Sequence, residues 1–348
     1  MCGHLALNGH FWGRRLSGSA FTLSIGGHSL RNRALLAPMA GITDRPFREI
    51  AERYDAGMVV SEMIASAALG TGHADMVRKL RKAGGLPHMV QLAGCEPTWM
   101  AEGARIAADA GADIIDINFG CPAKRVTSGY AGSALMRVPD QALAIVEAVV
   151  GATSSPVTVK MRLGWDDESL NAPQIARMAV DAGAQMITVH GRTRQQFYKG
   201  TARWELVRSV VEAVSVPVVV NGDILDEAGA RTALEQSGAA AVMLGRGAQG
   251  QPWRVGQIGA ALAGEPVGEA PTGDALIALI QEHYQEMLIE YGTEVGLRAA
   301  RKHLDWYAEA ANLNLDKPTR KALLDNDQPA EVIKLIGRVF SNDWSVAA

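Results

Sequence analysis

Cys121 stands between Gly120 and Pro122, directly after the apolar run ADIIDINF at 112–119. A free cysteine is often only a small buried hydrophobe, and that reading suits Cys95. Cys121 differs because it follows a strand-like run and shares that position with other reactive residue types, which points to a chemical role. Lys160 and Arg162 lie within VTVKMR (157–162), where an inward cation needs an anionic or electron-rich partner to offset its desolvation. His190 ends AQMITVH (184–190), and as a residue it suits a packed histidine as well as a ligand contact. Gln91 and Asn118 close two further apolar runs. Gly222-Asp223 follows PVVVN (217–221), and Gly245-Arg246-Gly247 follows AAAVML (239–244). Glycine-rich turns of this kind offer backbone N–H groups to a phosphate, and Arg246 adds a charge-assisted bond. A phosphate-bearing cofactor such as FMN fits that pattern.

The elements that position these residues come from a repeat. Asp55-Ala56-Gly57, Asp109-Ala110-Gly111, Asp181-Ala182-Gly183 and Ser237-Gly238 each precede a short apolar run. A glycine free to take positive φ ends a helix, and a strand follows. Between these junctions, Pro87, Pro156 and Pro217 each open another apolar run, a place where proline forfeits no ladder hydrogen bond. With RALLAP at 33–38, eight strands alternate with helix-length segments. Their nearly unbroken Val/Ile/Leu/Met content is that of parallel strands covered on both faces. PDQALAIVEAVVG (139–151) shows the helical period, with Ala142, Val146, Val149 and Val150 on one face. The expectation is an α/β fold, a (βα)8 TIM barrel over residues 21–262, with a doubly wound sheet as the alternative. Barrel active sites form at the C-terminal ends of the strands, where all the residues above fall. From 263 to 348 the pattern turns helical, with ALIALIQEHYQEMLIEYG, EVGLRAARKHLDWYAEA and AEVIKLIGRVF as three helices of a small C-terminal domain. Residues 1–20 have no apolar signal-peptide core and read as a disordered leader.

Composition narrows the function. Hydrophobic residues make up 48% of 348 positions, ample for a large core. No apolar run approaches the roughly 18 residues of a membrane span. Three cysteines, Cys2, Cys95 and Cys121, have neither disulfide-framework nor metal spacing, so no metal is expected and a cytoplasmic location is. The net charge of −3 does not itself argue for nucleic acid. Local clusters do better: Arg78, Lys79, Arg81 and Lys82; Arg192, Arg194 and Lys199; Arg298, Arg301 and Lys302; Lys317, Arg320 and Lys321. Each cluster read singly is ordinary solvated surface.

These residues sit in motifs that resemble the tRNA-dihydrouridine synthase family, closest to its bacterial B-type branch. The matching stretches are APMAGITDRPFR (37–48), MVVSEM (58–63), Gln91, DINFGCPAKRV (116–126), VKMRLGW (159–165), TVHGRTRQQFYKG (188–200), VVNGDI (219–224), LGRGAQGQPW (244–253) and RKHLDWY (301–307). They run in order along nearly the whole barrel and into the helical domain. The resemblance implies FMN as cofactor, NADPH as electron source and tRNA as substrate; separately, a monomer is expected. It implies flavin contacts at Pro38, Met39, Ala40, Gln91, Lys160, Asn221, Gly222, Asp223, Gly245 and Arg246, with His190 in the same pocket. Asn118 and Arg162 would meet the uracil, and Cys121 would donate the proton. Arg192, Arg194, Arg298, Arg301 and Lys302 become candidates for the tRNA backbone. Rival expectations are a flavin barrel acting on a free pyrimidine or other small molecule, a catalytically silent RNA-binding protein, and a flavin-free phosphosugar enzyme.

Overall fold

The computed structural model describes residues 23–127 and 130–341; the expected leader, residues 1–20, and Cys2 lie outside the described residues. Ser24–Ile25 (β1) and His28–Ser29 (β2) form an antiparallel hairpin around Gly26-Gly27, both at positive φ. Leu23, Ile25 and Leu30 insert among the inward residues at the base of the barrel, beside Met89, Ile114 and Met186. The hairpin thus plugs the end opposite the strand C-termini.

Nine further strands pair in parallel. They are Ala34–Leu36 (β3), Met58–Val59 (β4), Ile64–Ala65 (β5), Met89–Ala93 (β6), Ile114–Phe119 (β7), Val157–Arg162 (β8), Ala184–His190 (β9), Val218–Asn221 (β10) and Ala241–Leu244 (β11). The order runs β4-β3-β11-β10-β9-β8-β7-β6-β5. A Val60–Met89 bridge joins β4 to β6, so eight strands close a circle and β5 adds a short extra pairing on β6. This is the expected barrel. Val/Ile/Leu-rich strands suit it because one face meets the barrel interior and the other meets the surrounding helices.

The junctions differ in one detail. Gly111, Gly183 and Gly238 take positive φ as expected, but at the first junction the left-handed residue is Asp55 (φ 64°). Gly57 is needed for space instead, since a Cβ there would lie 2.4 Å from Asn32 O and 2.8 Å from Ala34 O. Asp55 tolerates the left-handed region better than most residues.

Helix Arg254–Ala263 ends on left-handed Gly264, and a non-helical stretch leads to Gly273. Four helices follow: Gly273–Tyr291, Thr293–Ala310, Lys317–Asp325 and Pro329–Phe340. The third was not anticipated. Its signal is local, an Asp316 side chain accepting from Thr319 N at 2.9 Å with proline in the first turn. These helices share a core, including Ile280, Met287, Leu304 and Ile336, which takes in Ile50 and Trp253 from the barrel side. Glu290, nearly fully buried, receives Arg45 at 2.9 Å, Arg78 at 3.3 Å and Arg81 at 3.2 Å. Among the described residues, no helix is long and apolar enough to cross a membrane.

The tightest helix contact of the barrel wall is at Gly256, where a Cβ would stand 1.7 Å from Tyr54 O. Gly256→Ala must push helix Arg254–Ala263 away from the helix Arg45–Arg53 that Tyr54 ends. The substitution should lower stability by about 1–3 kcal/mol, read as a drop in the urea midpoint; an unchanged midpoint would show that the contact relaxes freely.

Candidate active site

Period-2 alternation decides which side chains enter the barrel. On β7 these are Ile114, Asp116 and Asn118; on β8, Thr158, Lys160 and Arg162; on β9, Met186, Thr188 and His190. Strand register sets Gln91 beside Asp116, Asp116 beside Thr158, Asn118 beside Lys160, and Arg162 beside His190. The interior therefore passes from methionine and aliphatic residues at the base to polar and charged groups at the mouth. The residues singled out by type in the sequence arrive at one place.

Cys121 is held there by its backbone. Asn118 Oδ1 accepts from Gly120 N (3.1 Å) and Cys121 N (2.9 Å), and Cys121 O accepts from Ser133 Oγ (2.8 Å). Arg162 crosses beneath, donating to Gly120 O at 2.8 Å and to Thr193 O and Phe197 O at 2.9 Å each. Arg162 is a cation clamped by three carbonyls, and it ties the Cys121 loop to the loop after β9. Burial lowers its pKa to about 10, so it remains charged at neutral pH.

Lys160 Nζ donates to Asn221 Oδ1 at 3.0 Å, and Asn221 Nδ2 donates to Met243 O at 2.7 Å. Dense packing at the floor of the mouth, with Arg162 adding repulsion, pushes Lys160 down to about 8. Asp116, buried below, is pushed up to about 6 by desolvation. Burial, reinforced by Arg162 and Lys160, holds His190 well below 6.5, so the ring is neutral at pH 7. Arg192 Nη1 lies 3.4 Å from His190 Nε2; a guanidinium only donates, so Nε2 is the acceptor and Nδ1 carries the proton.

Glycine-containing turns follow β10 and β11. Gly222 has φ 116°, and a Cβ there would meet His190 Cδ2 at 2.8 Å, so only glycine lets the imidazole pack so closely. Asp223 binds Arg192 through both oxygens, at 2.9 and 2.5 Å, and Arg246 at 3.2 Å. Burial opposes its ionisation, but Arg192 and the Ala202 N–H outweigh this and hold the carboxyl below its usual range. Pro38, Met39 and Ala40 form the turn after β3, with Met39 Sδ 3.5 Å from where a Gly245 Cβ would be.

The basic clusters divide. Arg192 is 1% exposed and committed to Asp223, Lys199 O and Gly200 O. It braces the rim from inside and does not present its charge to an RNA backbone, which corrects the outward role expected for it. Arg194 lies over Trp165, 4.8 Å from the ring centroid, with Arg137 at the same distance. Arg298 is exposed and pairs with Glu294 at 2.7 Å, and Arg301 is half-buried on the same helix. Lys302 reaches the mouth, its Nζ 3.2 Å from where a Gly41 Cβ would stand. The cluster at 78–82 is engaged internally: Arg78 with Glu290 and Asp75, Lys79 with Glu62, Arg81 with Glu290, Lys82 with Asp113. Arg320 is paired with Asp305.

Several site residues were not singled out in the sequence. Asp116 and Thr158 lie one inward position below Asn118 and Lys160, so strand alternation was the available signal. Phe197 and Tyr198 project as exposed rings in T-shaped contact, and Tyr198 lies 5.7 Å from the Arg162 guanidinium and 5.4 Å from that of Arg246. Only folding brings those three together.

The family model for dihydrouridine synthase matches residues 35–342. The chain belongs to the dihydrouridine synthase family. A Rhodobacter capsulatus protein named "Probable tRNA-dihydrouridine synthase" is 54% identical over 322 residues, 92% of this chain and 98% of that one. A Pseudomonas aeruginosa protein named tRNA-dihydrouridine synthase B is 46% identical over 287 residues, 81% of this chain and 86% of its own length. Among solved structures, 6-hydroxypseudooxynicotine amine oxidase from Pseudomonas geniculata aligns with a TM-score of 0.53 at 16% identity, over 70% of this chain and 49% of that one. That likeness concerns the barrel fold alone.

A lysine with a lowered folded pKa has a definite pH signature. Below about 8 both folded and unfolded chains hold the proton and the desolvation penalty is fully present; between about 8 and 10.5 the folded chain loses it first and gains stability. Lys160→Met should therefore be more stable than wild type at pH 7 in ligand-free protein, by about 2 kcal/mol after allowing for the open mouth. Thermal melts should show the gap closing from pH 8 to 10.5; a constant gap would place the ammonium in a solvated setting.

Proposed function

We propose that this protein reduces the C5–C6 bond of uridines in the D-loop of tRNA, with FMN as its resident cofactor and NADPH as electron source. The observation that carries the reading is Cys121, fixed by Asn118 at the mouth of a barrel whose β10 and β11 turns supply a glycine-lined anion cradle. The residues fit a flavin phosphate: backbone N–H groups at Gly222, Asp223 and Gly245 with Arg246 would hold it, while Pro38, Met39, Ala40, Gln91, Lys160 and Asn221 would hold the ring. Thr188 Oγ1 is buried without a hydrogen-bond partner on the same inward face as Lys160, a polar atom that a ligand or water would satisfy.

FMN, when bound, supplies the hydride that C6 of uracil must receive. The chain's residues do the rest. Cys121 protonates C5 as general acid, its S–H supplying the proton that the reduced carbon must receive. Lys160 provides positive charge beside an electron-rich ring, and its single bond to Asn221 holds it in place without neutralising it. Neutral His190 and Asn118 offer hydrogen bonds to the uracil edge, and Arg162 favours negative charge developing there. A tRNA uridine must leave its stack to enter. Residues 21–262 form the catalytic unit in this reading and 263–348 the tRNA-orienting unit, with Arg194, Arg298, Arg301 and Lys302 toward the backbone. The cytoplasm, whose reducing poise keeps thiols free, is the setting this chemistry needs.

Cys121→Ala should keep its flavin and be reduced by NADPH, yet form dihydrouridine at least about 100-fold more slowly, the typical contribution of a general acid. Normal turnover would remove Cys121 from the mechanism. Replacing Arg298 and Arg301 by alanine should weaken tRNA binding and reduce the slope of log affinity against log salt by roughly 1–2, measured by filter binding. An unchanged slope would place both off the RNA path.

A further inference from the structure

Asp116 is the only carboxylate among the inward residues of β6, β7 and β8, and both its oxygens accept hydrogen bonds: Oδ2 from Gln91 Nε2 and Oδ1 from Thr158 Oγ1, each at 2.6 Å. Gln91 Oε1 in turn accepts from Asn118 Nδ2 at 2.7 Å, and Asn118 Oδ1 accepts the Gly120 and Cys121 amides. The direction of this chain is fixed at both ends. Backbone N–H groups can only donate, so Asn118 must turn its oxygen to them and its NH2 to Gln91. Gln91 must then turn its oxygen to Asn118 and its NH2 downward, where only an acceptor is compatible. Asp116 is that acceptor. All three side chains are buried, so water cannot readily substitute for a missing link.

We propose that Asp116 is a positioning residue, whose carboxylate sets the donor–acceptor sense of Gln91 and Asn118 and thereby the backbone position from which Cys121 presents its thiol. The consequence for Cys121 rests on its role in uridine reduction; the relay itself does not. An apolar side chain at 116 would leave Gln91 free to invert. An inverted Gln91 would turn its NH2 on Asn118, and Asn118 could satisfy it only by withdrawing its oxygen from the Cys121 loop. Asparagine is different. With its oxygen toward Gln91 and its NH2 toward Thr158, whose hydroxyl can also accept, it would keep the relay and lose only the charge.

The test compares Asp116→Leu with Asp116→Asn. In flavin-free protein, alkylation of Cys121 by iodoacetamide is followed by mass spectrometry of its peptide, with Cys95 as internal reference. In flavin-loaded protein, reduction by NADPH and reoxidation by unmodified tRNA are timed separately. Asp116→Leu should alkylate Cys121 at least threefold faster, because its loop is released, and should reoxidise at least tenfold more slowly with NADPH reduction within twofold of wild type. Asp116→Asn should stay within threefold of wild type in all three. Wild-type alkylation of Cys121 in Asp116→Leu would overturn the relay, as would equal damage from the asparagine. A changed alkylation rate without slowed reoxidation would keep the relay and count against Cys121 as the donor. If Asp116→Leu does not fold, Gln91→Met breaks the next link, and in flavin-free protein it must alkylate Cys121 at least threefold faster than wild type; a wild-type rate would overturn the relay.

Discussion

Closing eight parallel strands into a ring forces alternate side chains of every strand into one shared interior, and all the C-terminal ends to one opening. Each inward position must therefore be compatible with its neighbours on two other strands at the same height. At the base this is met by Leu23 and Ile25 of the hairpin packing among methionine and aliphatic residues. Higher up, Asp116, Gln91 and Thr158 are tolerated because they satisfy one another. At the top, Asn118, Lys160, Arg162, His190 and Asn221 point into the same small volume. The low dielectric of that volume separates the ionisation behaviour of its groups, lowering Lys160, raising Asp116 and keeping His190 neutral.

The helical segment is attached through a second set of buried polar contacts. Glu290 gathers three arginines from the barrel side, and Tyr291 Oη donates to Asp44 Oδ2 at 2.9 Å. Lys302, on the next helix, lies against the turn after β3. Orientation of the helices and shape of the mouth are thus coupled by short ion pairs rather than by a flexible tether. Of the clustered basic residues, Arg78 and Arg81 serve this joining, while the chain is acidic overall because its 37 Asp and Glu outnumber its 34 Lys and Arg.

Much of this could be read from residue types. The eight apolar runs become barrel strands because uninterrupted Val/Ile/Leu sequences of that length suit parallel pairing, and residues after their ends had to meet. What could not be read was mostly short or relational. Two-residue strands such as β1 and β2 carry little periodic signal, although Gly26-Gly27 marks their turn. The direction of Arg192 depends on Asp223, 31 positions away, and nothing local distinguishes it from Arg194. Gly57 looked like a left-handed helix terminator, but Asp55 takes that conformation and Gly57 supplies space. Asp116 was visible inside its motif, yet its importance lies in the hydrogen-bond sense of two amides on neighbouring strands.

Reduction of a uridine presented by folded tRNA is the chemistry proposed for this mouth. Its most direct test is to reduce the flavin-loaded protein with NADPH without oxygen, then mix it with unmodified tRNA or with free uridine and follow flavin absorbance. Rapid reoxidation by tRNA, with one dihydrouridine formed per flavin and no comparable reaction with free uridine, is the predicted result. Equal reoxidation by free uridine, or reoxidation by tRNA without dihydrouridine, would contradict it.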